Sequence, residues 1–244
     1  MKRYALVLAY NGKNYFGWQK QPHQITVQEC IEEALTKLNR TQKVDVVGCG
    51  RTDTGVHAAN YTLHFDFDEI TDLQNFTYRL NKILPNDIAI FETKLVSSDF
   101  HARFDAKSRT YRYFLHTTKN CFNYEQSCYF ATPLDINKMN EGATFLLGKK
   151  DFTSFSKLHT DVKTNICDVS TAKWVQVNEN EYYFEITADR FLRNMVRAIV
   201  GTLLDVGSGK LQPQAIVEIL DAKDRCEASV SAAGHALFLW NVAY

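Results

Sequence analysis

What the chain lacks narrows it first. It has no net charge, since 28 acidic residues balance 28 lysines and arginines. That argues against indiscriminate nucleic-acid binding and leaves room only for a local basic face. It has no run of about 18 apolar residues, so no membrane-spanning helix is expected. Its six cysteines, at 30, 49, 121, 128, 167 and 226, form no Cys-x-x-Cys and no paired Cys/His spacing. Structural zinc is therefore not expected, and scattered thiols fit a reducing compartment. No low-complexity linker and no residue-level repeat divides the chain. The opening MKRYALVLAYNG carries two cations and an apolar run but no small-residue cleavage site. It reads as a strand stopped by Asn11-Gly12 and not as a leader, and a cytoplasmic location is the default.

What is present suits a globular protein. The chain has 244 residues, 45% hydrophobic and 13% aromatic, enough for one large domain or two modest ones. Residues 2–10 alternate and are β-prone. Thr26-x-x-Glu29 is a capping box ahead of Val27, Cys30, Ile31, Ala34, Leu35 and Leu38, an amphipathic helix. Val44–Cys49 reads as a strand, and Tyr61, Leu63, Phe65 and Phe67 mark another. Asp72 caps a helix stopped by Pro85, and Asp87–Val96 is a fourth strand. The order is β-α-β-β-α-β. The second half repeats it: strand Ser108–Thr117, helix Asp135–Leu147, strands Ile166–Val177 and Tyr182–Thr187, helices Phe191–Val206 and Pro213–Leu220, and a closing strand Ala236–Tyr244. The expected fold is α+β: two split β-α-β-β-α-β halves, ferredoxin-like, sharing an antiparallel sheet with helices on one face and a central cleft. The passage Asp99–Lys107 is the best boundary, giving halves of residues 1–103 and 104–244.

The most informative stretch is Gly48–Ala59, GCGRTDTGVHAA. It begins where the apolar run Val44–Val47 stops. Glycines at 48, 50 and 55 surround one acid, Asp53, beside one cation, Arg51. Glycine at a strand end permits a sharp turn or a close approach. A carboxylate presented this way can accept hydrogen bonds or act as a nucleophile. A simpler role fits the same residues, because Asp and Thr near Gly often only close a turn. So does a second chemistry. Asp53-Thr54-Gly55 is the triplet of aspartic proteases, which need two carboxylates. The chain has no second such triplet, so a protease would need two copies in a dimer.

Further along, Phe100–Tyr113, FHARFDAKSRTYRY, holds Arg103, Lys107, Arg109 and Arg112 against the one acid Asp105. Cations for phosphates and rings for bases are the ingredients of a single-stranded nucleic-acid surface. A solvated charged strand accounts for the composition equally well. On a strand, Arg109, Tyr111 and Tyr113 share one face. In Asp189–Gly209, Leu192, Met195, Val196, Ile199, Val200 and Leu203 form an ordinary core stripe. Arg190, Arg193 and Arg197 fall on another face of the expected helix. Arg197 lies between Val196 and Ala198, so it needs an acidic partner wherever it is buried. Gly207-Ser208-Gly209-Lys210 follows a helix and lacks the first glycine of a phosphate loop, so it is not one.

These stretches together resemble the tRNA pseudouridine synthase A family. The matching segments are YNGKNYFGWQKQ, TVQE, GRTDTGVHA, LPNDIAI, FHARFDAKSRTYRY, LLGKKDFTSF, RFLRNMVRAIVGTLLDVG and AKDR, in the family's order. The resemblance implies an isomerase that converts uridine to pseudouridine in the anticodon stem-loop of tRNA, at positions 38, 39 and 40. It implies no cofactor and no metal, and a cytoplasmic homodimer with tRNA as its partner and no membrane. It makes Asp53 the nucleophilic or addition-forming acid, with attack at either the sugar or the base. Tyr111 stacks on the target base and takes part in proton transfer, and Arg197 pairs with Asp53. Arg51 holds the vacated base position, Leu237 packs in the site, and Arg103 and Arg109 belong to the RNA-binding surface. A non-catalytic RNA-binding protein of the same fold is the rival from another class.

The chain departs from the family's pattern at four places. Asn11 stands where Asp is usual, and Thr54 replaces a common Ala. Val162–Ile166 lacks a frequent arginine. The last strand, AAGHALFL, lacks the usual proline and glycine before Leu237.

Overall fold

The computed structural model describes residues 1–157 and 164–244, so part of the Val162–Ile166 departure lies outside the described residues. They form ten strands, five α-helices and three short 3-10 turns. The architecture is α+β. The chain divides into two compact units, Met1–Lys107 with Phe238–Tyr244, and Ser108–Leu237.

The first unit starts with β1 (Lys2–Tyr10), α1 (Val27–Leu38), β2 (Val46–Gly48) and β3 (His57–Phe67), then α2 (Leu73–Ile83) and β4 (Ile88–Leu95). β1 lies between β3 and β4, antiparallel to both, and β2 pairs antiparallel with β3. The order 4-1-3-2 is that of a split βαβ pair. Thr26 caps α1 by accepting from Glu29 N, as its Thr-x-x-Glu spacing requires. The face of α1 bearing Val27, Ile31, Ala34 and Leu35 is buried. Glu32 is buried there too; it accepts from Gln28 Nε2 at 2.8 Å and from Val46 N at 3.3 Å. Asp72 caps α2 through Asn75 N. Phe65 and Phe67 of β3 pack on Phe76 of α2, so alternation turns His64 and Asp66 to the sheet's other face.

The second unit contains β5 (Ser108–His116), the two-residue β6 (Cys128–Tyr129), α3 (Ile136–Thr144), β7 (Gly148–Asp151), β8 (Ile166–Asn178), β9 (Glu181–Ala188), α4 (Met195–Gly207) and α5 (Ala215–Ala222). β9 lies between β5 and β8, and β7 extends β8. β6 and β7 are too short for any periodicity to announce them. Tyr113, Leu115, Phe184, Ile186, Val169 and Trp174 are buried with the helices, and Asn140 of α3 bonds the Trp174 backbone in both directions. Arg112, Glu185 and Lys173 form a ladder on the opposite face, with Arg112–Glu185 at 2.7 Å and Lys173–Glu185 at 3.8 Å.

Two expectations change. The helix expected from Phe191 starts at Met195, after Asn194 in the left-handed region at φ 67°. Arg190 and Arg193 therefore precede the helix and share no helical face with Arg197. The closing strand, β10 (Leu237–Ala243), runs parallel to β3 through Phe238–His57 and Leu239–Ala58. Its pairing puts residues 238–244 with the first unit, although they follow the second unit in sequence.

Candidate active-site loops

In the first unit the Asp53 segment leaves β2 at Cys49, whose N–H still reaches Thr62 O at 2.9 Å. The segment then runs over a floor of three rings, Tyr10, Trp18 and Tyr61, with Trp18 and Tyr61 stacked at 4.1 Å. Gly48 is required here, because a Cβ would fall 2.0 Å from the Tyr61 hydroxyl and 2.7 Å from the Trp18 ring. The floor grips the segment by its polar atoms. Tyr61 donates its hydroxyl to Gly50 O, and Tyr10 and Thr52 share a buried hydroxyl contact at 2.9 Å. Trp18 N donates to Thr52 O at 3.2 Å.

Thr52 is buried, Arg51 and Thr54 are exposed, and Asp53 is half-buried. Of these residues only Thr52 is sealed against the ring floor, and its neighbours Arg51 and Asp53 keep solvent access. The turn after Asp53 is closed by main chain, Val56 N to Asp53 O at 3.1 Å, with Gly55 at φ +75°. Positive φ at that third position calls for glycine.

The preceding loop is braced as well. Asp87 accepts from the Tyr15 hydroxyl and from Asn14 Nδ2 at 3.1 Å, and its carbonyl accepts from Asn11 N at 2.8 Å. Burial, then Asp87, pushes the Tyr15 phenol well above its usual range. Tyr15 O in turn takes the Gly55 N–H at 3.3 Å. Asn11 caps the turn Gly12–Asn14 by accepting from Lys13 N. An aspartate would cap it in the same way, so the departure at Asn11 keeps the local geometry.

Arg103 also belongs to this unit, in the loop after β4, with its guanidinium 5.8 Å from the Phe104 ring centroid. That loop lies against the β3 face turned away from α2, where Ala102 N donates to His64 Nδ1 at 3.1 Å.

The second unit carries Arg109, Tyr111, Arg197 and Leu237. Tyr111 is half-buried on β5 opposite Ile186, with Phe191 edge-on at 5.0 Å. Arg109 Nη1 donates to Asp189 O at 2.8 Å. Arg197 is half-buried in the first turn of α4; its Nε donates to Ala232 O at 2.7 Å and its carbonyl accepts from Ala232 N at 2.9 Å. Burial raises the phenol of Tyr113, and the neighbouring Cys128 thiol adds to the rise while the Arg197 charge lowers it. The Tyr113 hydroxyl is therefore an electrostatic neighbour of Arg197, which sequence alternation alone did not show. Leu237 is buried at the start of β10.

Sequence reasoning missed what holds Arg197 in place. Residues 228–232 form a strap over α4. Gly201 admits it, since a Cβ there would sit 2.0 Å from Val230 O. Arg225, of the AKDR stretch, donates to Ala228 O, Ser229 O and Ser231 Oγ at 2.9, 3.2 and 2.9 Å. Ser231 Oγ also accepts from Asn194 Nδ2 at 2.7 Å. Among the described residues no group of three or more His, Cys, Asp or Glu side chains is placed to hold a metal. No helix there is long and apolar enough to cross a membrane.

The fold is α+β, and within its own unit each candidate residue sits on a braced element, Asp53 in the first and Tyr111 and Arg197 in the second. The family model described as tRNA pseudouridine synthase matches residues 6–105 and 143–244. Curated relatives named tRNA pseudouridine synthase A include one from Parabacteroides distasonis, 53% identical over all of this chain and 96% of that protein. Another, from Bacteroides fragilis, is 51% identical over all of this chain and 97% of its own. One from Bacillus subtilis is 40% identical over 99% of each. The chain belongs to the tRNA pseudouridine synthase family, a family of isomerases. That membership leaves a protease role for Asp53-Thr54-Gly55 without support.

Proposed function

We propose that this protein isomerises uridine to pseudouridine in the anticodon stem-loop of tRNA, at positions 38, 39 and 40. The observation that carries the reading is the Asp53 segment: its inner residue Thr52 is tied to Tyr10 and Trp18, while its turn closes through main chain. Those anchors fix the stretch that carries Asp53, half-buried between exposed Arg51 and Thr54, and a fixed acid suits the chemistry.

The reaction breaks the bond from C1′ to N1 and forms one from C1′ to C5 of the same base. C5 then loses its proton and N1 gains one, so the product is an isomer. The base must first leave the stack, at a cost of a few kcal/mol. Asp53 is the attacking carboxylate. Tyr111 offers a flat face to the target base and a phenol for the proton from C5. Arg197 is the cation that keeps the acid ionised. Arg51 occupies the place the base vacates, Leu237 packs against it, and Arg103 and Arg109 hold phosphates. The reaction needs no cofactor, and the working form is a cytoplasmic homodimer.

Tritium release from tRNA labelled at uracil C5 tests this directly. Wild-type protein should release tritium to water, and sequencing of the product should find pseudouridine at positions 38–40. Asp53→Asn keeps size and shape but removes the nucleophile, so release should fall to background while filter binding of the same tRNA persists. Retained turnover in folded Asp53→Asn would reject the assignment. Loss of binding together with a lowered Tm would give Asp53 a structural part instead.

A further inference from the structure

A single exposed apolar side chain is ordinary by itself, so what bears on function is how it is held. Phe104 is 74% exposed, on the loop after β4. Its mount is built from named contacts. The backbone N–H groups of Arg103 and Phe104 both donate to His101 Nδ1 at 3.2 Å. His101 N donates to Asp105 Oδ2 at 2.7 Å, and Asp105 N returns to His101 O at 3.0 Å. The His101 ring stacks on Phe104 at 4.2 Å and 27°. Behind it, the His64 ring meets His101 at 4.9 Å. The loop is held to its own unit by Tyr244 Oη donating to Ala102 O at 2.7 Å and by Arg3 Nη1 donating to Phe100 O at 3.1 Å. Burial, then the Arg3 charge, lowers His64 to a pKa of about 4, so its Nδ1 stays an acceptor for Ala102 N near neutral pH.

Such a pile of rings costs little further ordering when something stacks on it. The Arg103 guanidinium lies over the Phe104 ring, 5.8 Å from its centroid, too far to be in stacking contact with it. A ring with an adjacent guanidinium fits a nucleobase and its phosphate, because every base has a π-face and every nucleotide an anion.

We infer that Phe104, with Arg103 beside it, is a stacking site for an unpaired base of the bound RNA, other than the uridine being isomerised. The inference rests on tRNA being the substrate. Tyr111 has the target base in that reading, so Phe104 serves binding and not the chemical step.

The test uses full-length protein and an unmodified tRNA transcript. Phe104→Ala should raise Kd about 5- to 100-fold, the range seen when a stacking ring is truncated. The single-turnover rate at saturating protein should stay within about twofold of wild type, as for any group outside the chemistry. Phe104→Trp should restore binding, and Phe104→Leu, which keeps apolar bulk without a π-face, should not. Phe122→Ala is the control: Phe122 is 91% exposed and should be silent. Active wild type with unchanged Kd in Phe104→Ala overturns the inference and leaves the tRNA reading intact. Rescue by leucine as good as by tryptophan overturns stacking. A changed oligomeric state in Phe104→Ala, read by sedimentation, would give the ring to a contact between copies and overturn it too. Inactive wild type would be the failure of the tRNA reading, seen before any variant is made.

Discussion

Thr52 shows how one hydroxyl can matter to a neighbour's chemistry. Its oxygen meets the Tyr10 hydroxyl at 2.9 Å in a buried place, and the chain on either side carries Arg51 and Asp53. Thr52→Val keeps the shape and removes the hydroxyl. It leaves the Tyr10 oxygen without that contact, at a cost of about 1–3 kcal/mol of stability. Because the segment loosens, kcat should fall by about tenfold or more while KM for tRNA changes little, and Thr52→Ser should recover most of the loss. Tyr10→Phe with Thr52→Val should cost less than the sum of the singles. Additive losses would separate the two hydroxyls. His64 gives a pH prediction at the same scale. Its folded pKa of about 4 lies below the ordinary value of 6.5, so the unfolded chain binds the proton more readily. Stability is then full above about pH 6.5 and falls as pH drops toward 4. His64→Gln should flatten part of that slope in a series of thermal melts, the remainder belonging to groups such as His116, which burial also lowers. An unchanged slope would show His64 titrating alike in both states. None of this was legible in the sequence, because neither Tyr10 nor His64 stands near its partner along the chain. Asp53 was legible as a candidate, since glycines and a lone acid stand within one short stretch.

Among the elements, capped helices were readable: Thr26 and Asp72 both cap as their spacing suggests, and the buried stripes follow. The start of α4 was not, because Phe191 and Leu192 continue the apolar periodicity while Asn194 turns left-handed and breaks the helix. What fixes that start is remote in sequence: Ser231 bonds Asn194, and Arg225 bonds Ser231. The strap also supplies Ala232 O to Arg197 Nε. Arg225→Met should therefore do two things. It removes a charged donor from three acceptors, lowering stability by about 1.5–3 kcal/mol. It also frees the Arg197 side chain, so turnover should fall further than the loss of folded protein explains. Arg193 precedes α4, and Arg193→Met should leave turnover near wild type. Chemical denaturation alongside single-turnover rates checks both; equal turnover losses in the two variants would deny the strap its part.

At the level of the whole molecule, the order of elements was legible because alternation and helical periodicity each need only local sequence. The pairing of β10 with β3 was not, since a strand's partner is chosen by packing far along the chain. Charge has the same character. A chain with 28 acids and 28 bases has no net attraction for a polyanion, so any tRNA binding must come from where the cations stand. Arg103, Lys107 and Arg109 crowd one passage containing a single acid, Asp105, and that acid is already engaged by the His101 N–H. If about three phosphates are neutralised there, counterion release gives a slope of about −2.7 in log affinity against log salt. Raising salt from about 50 to about 200 mM should then weaken binding about 40-fold. Replacing Arg103 by Gln should reduce the slope by about one, because one phosphate contact is lost. A surface cation elsewhere, such as Lys119 replaced by Gln, should leave the slope alone. Affinity that stays flat across that salt range, measured by filter binding, would mean that tRNA is held by shape and stacking with no concentrated basic face. The loss of one unit of slope on removing Arg103, with saturating turnover kept, would place the cation in binding and outside the chemical step.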